Sequence, residues 1–432
     1  MSKPDLLLHI GQWKTGTSSI QRILGARRPA LAAQGVFYPA TPGHANHVLL
    51  PASLVPVSAL TDYHPANWEG IGPEARLARF RRDFAAELAS VPAGTRLILL
   101  SSERFSGLLT DPARVAALRD LLAPHAGRMR VVMYLRRQDS HYASGYTQAL
   151  RVADIRPPRL PEAGPEQLPH YDYAATLDLW AGIFGAAAIE PRIFEPAALK
   201  GGDVVEDFLD LCGIRLDVPA DDPDRRNNAS LTPGGIDLLR ALGERLAGTG
   251  TLHPSNPLWR RMVDAANNHL PGSGWRPPPA EAAAFLARFA TVNEAVRQRW
   301  FPDRPSLFAE APKPAGTAPG EPAPIDAGAA LDAAVTLLLG EFAAINAHEA
   351  HLQTTLGRAL DRLGDRAPAI GAWRAALRAV PDYPQAQLWL AEAALDAGDH
   401  ATARAHLAAL IRAHPGSPQA IRLANRMAKL TP

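Results

Sequence analysis

A chain of 432 residues is long enough for two or three domains, each burying its own core. With 47% hydrophobic and 20% charged residues, its composition is that of a globular protein. The formal net charge of +2 argues against a nucleic-acid or membrane-surface protein, so any anion must be recognised locally. The single cysteine, Cys212, excludes an intrachain disulfide, and its apolar surroundings "VVEDFLDLCGI" read as core. The opening "MSKPDLLLHIG" has too short an apolar run for a signal peptide, and no later run approaches a membrane span. The expectation is a cytoplasmic protein without a transmembrane segment.

The first two hundred residues alternate strand and helix. "DLLLHIG" (5–11) reads as a strand and "SSIQRILGARR" as the helix after it. "GVFYP" (35–39), "RLILLSSE" (96–103), "RMRVVMYLR" (128–136) and "AAIEPRIFEP" (187–196) read as four further strands, with helical periodicity between them. Continuous apolar strands separated by helices predict an α/β fold, a parallel sheet with helices on both faces. Ligands then belong at the carboxyl ends of the strands. Residues 204–308 read as largely helical, and the chain then becomes rich in Pro, Ala and Gly. The expected division is a domain over 1–308, a stiff linker over 309–328, and a helical-repeat domain over 329–432.

The last segment repeats itself. Leu356 matches Leu390, Ala369 matches Ala403 and Pro381 matches Pro415, all at an offset of 34 residues, and Gly364-Asp365 returns as Gly398-Asp399. A helix–turn–helix period of that length is the tetratricopeptide (TPR) signature. Small residues let paired helices approach, and the proline closes the second helix. "SPQAIRLANRMAKL" reads as a capping helix.

Chemistry gathers at two strand ends. In "HIGQWKTGTSSIQ" the first strand runs into a helix whose amides face outward at its positive end. Gly11 and Gly16 free the backbone to curl around an anion, Thr15, Thr17, Ser18 and Ser19 add hydroxyls, and Lys14 adds a charge. The ATP/GTP loop places its lysine directly after the last glycine, whereas Lys14 comes two residues before Gly16. In "YLRRQDSHYASGY", Arg136 leaves the fourth strand and Ser144 follows eight residues later, spaced to hold a second phosphate.

Together these clusters resemble the sulfotransferase family, in its bacterial branch. Lys14-Thr15-Gly16-Thr17-Ser18 matches the 5′-phosphosulfate loop K-[ST]-G-[ST]-[ST], and Arg136 with Ser144 matches the 3′-phosphate motif. The resemblance spans roughly residues 5–308 and implies the P-loop nucleoside-triphosphate-hydrolase-like sulfotransferase fold. It implies 3′-phosphoadenosine 5′-phosphosulfate (PAPS) as donor, with no metal, and Lys14 at the leaving group where charge grows. Many relatives carry a proline two residues after the arginine, where this chain has Gln138.

In related enzymes the base that takes the acceptor's proton is a His or Glu just beyond the second strand. Here "ATPGHANHVLL" offers His44 and His47, of which His47 is preferred because an apolar run follows it; Glu103 competes from the end of the third strand. A third cluster, "DRRNNASLTPGG", offers Arg226, Asn228 and Ser230 to close over the nucleotide or acceptor, although Ser230 also suits a helix start. Trp68, Tyr171, Tyr173, Trp259 and Trp275 are either sugar-stacking platforms or core. The expected acceptor is a hydroxyl or amine on a small molecule or glycan. The repeats suit a protein partner or self-association, and no nucleic acid is expected. The alternatives are an inactive scaffold working through its repeats, or a kinase-like phosphotransferase; the latter would want G-K-[ST] and an acidic Mg²⁺ ligand, and neither is found.

Overall fold

The computed structural model describes residues 3–60, 71–219, 222, 224–225, 230–247, 252–253, 256–272, 274–309 and 327–428. The chain divides into two compact units, Met1–Asp326 and Ala327–Pro432. The expected linker falls almost wholly outside the described residues, as do Trp68, Arg226 and Asn228.

In the first unit the strands are β1 (Asp5–His9), β2 (Val36–Phe37), β3 (Leu97–Ser101), β4 (Met129–Leu135) and β5 (Ile189–Ile193). All five expected strands are present, each shorter than its apolar run, and all are parallel in the order β2-β3-β1-β4-β5. The helices up to β5 are α1 (Thr17–Ala26), α2 (Arg28–Ala32), α3 (Leu49–Ala52), α4 (Pro73–Ala89), α5 (Arg104–Leu108), α6 (Pro112–Leu122), α7 (Gln138–Arg151) and α8 (Tyr173–Phe184). Beyond β5 come α9 (Val204–Leu211), α10 (Pro233–Leu246), α11 (Pro257–His269), α12 (Pro279–Ala287) and α13 (Ala290–Trp300).

Successive side chains of a strand point to opposite faces, so a strand buried on both sides is apolar throughout. Leu6 and Leu8 of β1 join Ile98, Leu100, Met133 and Leu135 under α4, α6 and α8. Leu7 joins Leu99, Val132 and Tyr134 under α1 and α9. Cys212 belongs to this second core, and burial raises its thiol to about 12, which fits a packing role.

The strand order locates the crevice. From β1 the chain departs toward β2 on one side, and from β4 it departs toward β5 on the other. Their carboxyl ends therefore diverge, which makes β1/β4 the topological switch point of the sheet.

The helical reading of residues 204–308 needs one addition, a ribbon of two short antiparallel strands, β6 (Ser230–Leu231) and β7 (Pro271–Gly272). Ser230 is thus a strand residue. The cap of α10 is Thr232, whose hydroxyl accepts from the Gly235 amide at 3.1 Å. Gln138 exchanges two hydrogen bonds with Asn293 (2.6 and 3.1 Å), tying α7 to α13.

The second unit is all helical: α14 (Ala327–Arg362), α15 (Arg366–Ala379), α16 (Pro384–Asp396), α17 (His400–Ala413) and α18 (Pro418–Ala428). The repeated Gly364 and Gly398 both adopt left-handed backbone at the turns between paired helices. Ala369, Trp373 and Ala376 pack with Ala386 and Leu390, and Ala403 packs with Leu407 and Leu423. One equivalence fails. Leu390 is 4% exposed but its counterpart Leu356 is 50% exposed, because α16 has α15 ahead of it and α14 has no helix ahead of it within its unit.

Candidate functional site

The loop between β1 and α1 is held from within. Thr15 Oγ1 donates to the Gln12 carbonyl at 2.6 Å and Thr17 Oγ1 donates to the same oxygen at 3.0 Å. Both hydroxyls were expected to face a ligand, yet their protons are spent on closing the turn; Ser18 is the exposed one. The glycines also act differently from expectation. A Cβ on Gly11 would stand 2.7 Å from Cβ of Glu103, and one on Gly16 would strike the Val204 side chain. Both have positive φ (74° and 77°), so they permit close packing of the loop onto β3 and α9.

Lys14 also has positive φ, 61°, which is unusual for a side chain with a Cβ. This kinked path leaves a run of donors. From Gly11 through Ser18, no backbone amide donates to an acceptor among the described residues. Consecutive unpaired amides at the start of a helix form a concave anion site.

Arg136 closes the other side of the crevice. Its Nη1 donates to the Lys14 carbonyl at 2.7 Å and to Ser144 Oγ at 3.1 Å, while Nε and Nη2 reach Ser140 Oγ at 3.2 and 3.1 Å. Its own carbonyl accepts from Tyr173 Oη at 2.6 Å, and its guanidinium lies 5.5 Å from the Phe194 ring centre. The residues matched at eight-residue spacing thus meet. Ser140, one turn nearer on the same helix face, belongs with them, and its i+4 spacing from Arg136 was the available signal.

Neither Lys14 nor Arg136 pairs with a carboxylate among the described residues. Burial, then Arg136, then Arg151 push the Lys14 ammonium below its usual value, and burial likewise lowers Arg136. Asp139 acts on Arg136 only from a distance, being paired with Arg137. Two half-buried cations thus lie side by side without a direct carboxylate partner among the described residues, a deficit that a bound anion would relieve.

His47 does not fit the role of base. Its ring is fully buried, Nδ1 accepts from the Ser101 amide at 3.2 Å, and Nε2 bonds the Pro39 carbonyl at 3.0 Å. Burial lowers it to about 3, and no ring nitrogen is left for a substrate. His47 is a strut between the loop after β2 and the end of β3. His44 is exposed, and its backbone carbonyl accepts from Arg28.

Glu103 is better placed, against Gly11 at the end of β3. Asn46 Nδ2 donates to its two oxygens at 2.9 and 3.0 Å, and Gln21 Nε2 donates at 3.2 Å. Gln21 also reaches Ser101 Oγ at 3.3 Å, which bonds His9 Nδ1 at 2.9 Å. Four different elements contribute to this network, so no local pattern announced Asn46, Gln21 or His9.

Arg226 lies outside the described residues, but its neighbour does not. The Arg225 carbonyl accepts from Ser19 Oγ at 3.4 Å, and Arg27 pairs with Asp222 and Asp224, fastening this segment onto α1. Of the aromatic candidates, Tyr171, Tyr173 and Trp259 are buried, and Trp259 Nε1 donates to the Leu150 carbonyl at 2.9 Å. Those three are core. Trp13, not among them, is 41% exposed within the loop itself, its ring tilted against His170 at 4.8 Å between centres.

No cluster of His, Cys, Asp or Glu suited to a metal ion occurs among the described residues, and no described helix is long and apolar enough to cross a membrane.

Comparison with known proteins adds three findings. An uncharacterized protein of Archaeoglobus fulgidus is 32% identical over 154 residues, which are 34% of this chain and 39% of that protein. The match therefore spans well under half of that relative's length. A crystal structure of a sulfotransferase from Alicyclobacillus acidocaldarius aligns over 60% of this chain and 100% of its own, at 19% identity and a TM-score of 0.31, too slight a likeness to carry an argument. In the second unit, residues 354–418 match the family model of the tetratricopeptide repeat.

Proposed function

We propose that the first unit is a sulfotransferase that takes the sulfuryl group of PAPS and passes it to a hydroxyl or amine, on a carbohydrate or glycolipid type of acceptor. The observation that carries this reading is the pair Lys14 and Arg136, half-buried and without a described carboxylate partner, at the two sides of the β1/β4 crevice. The unaccepted amides of residues 11–18 and the sequence match at both clusters support the same assignment.

Each residue then has a distinct task. The loop amides and Ser18 bind the 5′-phosphate, and Arg136 with Ser144 binds the 3′-phosphate as fork and hydroxyl. Lys14 sits early in the loop because it stabilises the charge that grows on the leaving phosphate oxygen as its bond to sulfur breaks. Glu103, oriented by Asn46 and Gln21, takes the proton from the attacking hydroxyl or amine of the acceptor. His47 serves this arrangement only by holding the backbone of β3 in place.

Calorimetric titration with 3′-phosphoadenosine 5′-phosphate tests the reading. Wild type is expected to bind, and Arg136→Ala to bind at least about tenfold more weakly, since a charge-assisted hydrogen bond contributes about 1.5–3 kcal/mol. Glu103→Gln is expected to keep the affinity and lose transfer from labelled donor. Failure of the folded wild type to bind would overturn the assignment.

A further inference from the structure

The helix α14 has 36 residues, against 17 for α4, the next longest among the described helices. At 1.5 Å per residue it runs for about 54 Å, far beyond what α15 can cover. One face packs on α15: Ala350 and Thr354 are buried there, and a Cβ on Gly357 would stand 2.5 Å from Trp373 Cδ1. The opposite face carries Ile345, Leu352 and Leu356, with Leu363 directly after the helix's last residue; the four are 61%, 50%, 50% and 77% exposed.

These four recur at steps of seven, four and seven residues. In the sequence the same spacing extends backwards through Phe342, Leu338, Val335 and Leu331, at steps of three, four, three, four from Ile345. Ala359 fills a further position, and Glu349 alone interrupts the series, accepting from Gln353 Nε2 at 2.8 Å. A seven-residue apolar repeat kept over a helix this long specifies a supercoil with another helix, because a 3.5-residue period keeps one seam facing one partner.

The internal repeat shows how such a face is normally covered. Thirty-four residues on, Leu352 and Leu356 correspond to Ala386 and Leu390, which are 0% and 4% exposed beneath α15. No earlier copy of the repeat precedes α14 in the sequence, where prolines stand at 312, 314, 319, 322 and 324. Among the described helices only α14 itself has the length and the heptad spacing to match this seam. We propose that α14 pairs along this face with α14 of a second copy, making the protein a homodimer through its repeat unit. The proposal is independent of the nucleotide site.

Light scattering during size-exclusion chromatography of the full chain, over a concentration series, tests it. Wild type is expected at twice the chain mass, and Leu352→Glu with Leu356→Glu at the chain mass, with far-UV circular dichroism unchanged because both side chains lie outside the unit's core. Leu352→Ala with Leu356→Ala, which keeps helix propensity, is expected to raise the dimer dissociation constant at least about tenfold, the apolar area having been removed from the seam. It also decides the matter if the glutamate variant unfolds. A wild type that stays at the chain mass throughout, with the face covered by the first unit or left open, would overturn the proposal. So would a dimer indifferent to both folded variants.

Discussion

Arg136 shows how far a single side chain can be read from sequence. Its eight-residue distance to Ser144 was legible, since strand tip and helix geometry are both local, and the two meet at 3.1 Å. His47 shows the opposite. A histidine in a polar-looking loop reads as available, but availability depends on what packs over it, and here both nitrogens are consumed by backbone. His9, His47 and His141 are each fully buried and lowered to about 3, in each case chiefly by burial. The unfolded chain takes up these protons as pH falls below the ordinary histidine value of 6.5, whereas the native state refuses them until about 3. Their contribution to stability is therefore complete above that upper value and is lost progressively toward the lower one. Thermal melts should show the first unit weakening across this window. His47→Gln retains a donor and an acceptor without the titration, so its melting temperature should fall less steeply over the same range. A variant with the wild-type slope would show that His47 is not held neutral.

Among the elements, the strands and repeat helices were the most legible, because apolar runs and a 34-residue period are properties of contiguous sequence. The loop at β1–α1 was legible in composition and misjudged in detail. Its threonines and glycines close and seat the turn, and around the positive φ of Lys14 the backbone amides donate to no described acceptor. In the repeats, Gly357 decides the approach of α14 to α15, with Trp373 Cδ1 and the Ala369 carbonyl only 2.5 and 3.0 Å from where a Cβ would stand. Gly357→Ala should gain helix propensity and still destabilise the second unit, because overpacking costs about 1–3 kcal/mol and outweighs the gain of about 1 kcal/mol. A lowered melting transition checks this; an unchanged or raised one would mean that the tryptophan yields without cost.

For the whole molecule, each of the two compact units has apolar clusters of its own. Each is expected to unfold cooperatively as its own fragment, Met1–Asp326 and Ala327–Pro432, with the latter giving a helical circular dichroism spectrum. If the repeat fragment were helical only at concentrations where it dimerises, the seam on α14 would be part of its folding. That outcome would sharpen the dimer proposal into an obligate one.

By itself the sequence determined the parallel sheet, the helical repeats and the positions of Lys14, Arg136 and Ser144. Each follows from local periodicity or from short spacings that a single strand or helix translates into direction. Tertiary structure alone decided which polar groups are buried and which are already paired. It buried His47, gathered Asn46 and Gln21 around Glu103, spent the threonine hydroxyls on the loop, and left Leu356 bare where its repeat partner Leu390 is covered. The reason is that burial and pairing depend on contacts between residues far apart in the chain, and no single-chain spacing encodes those distances.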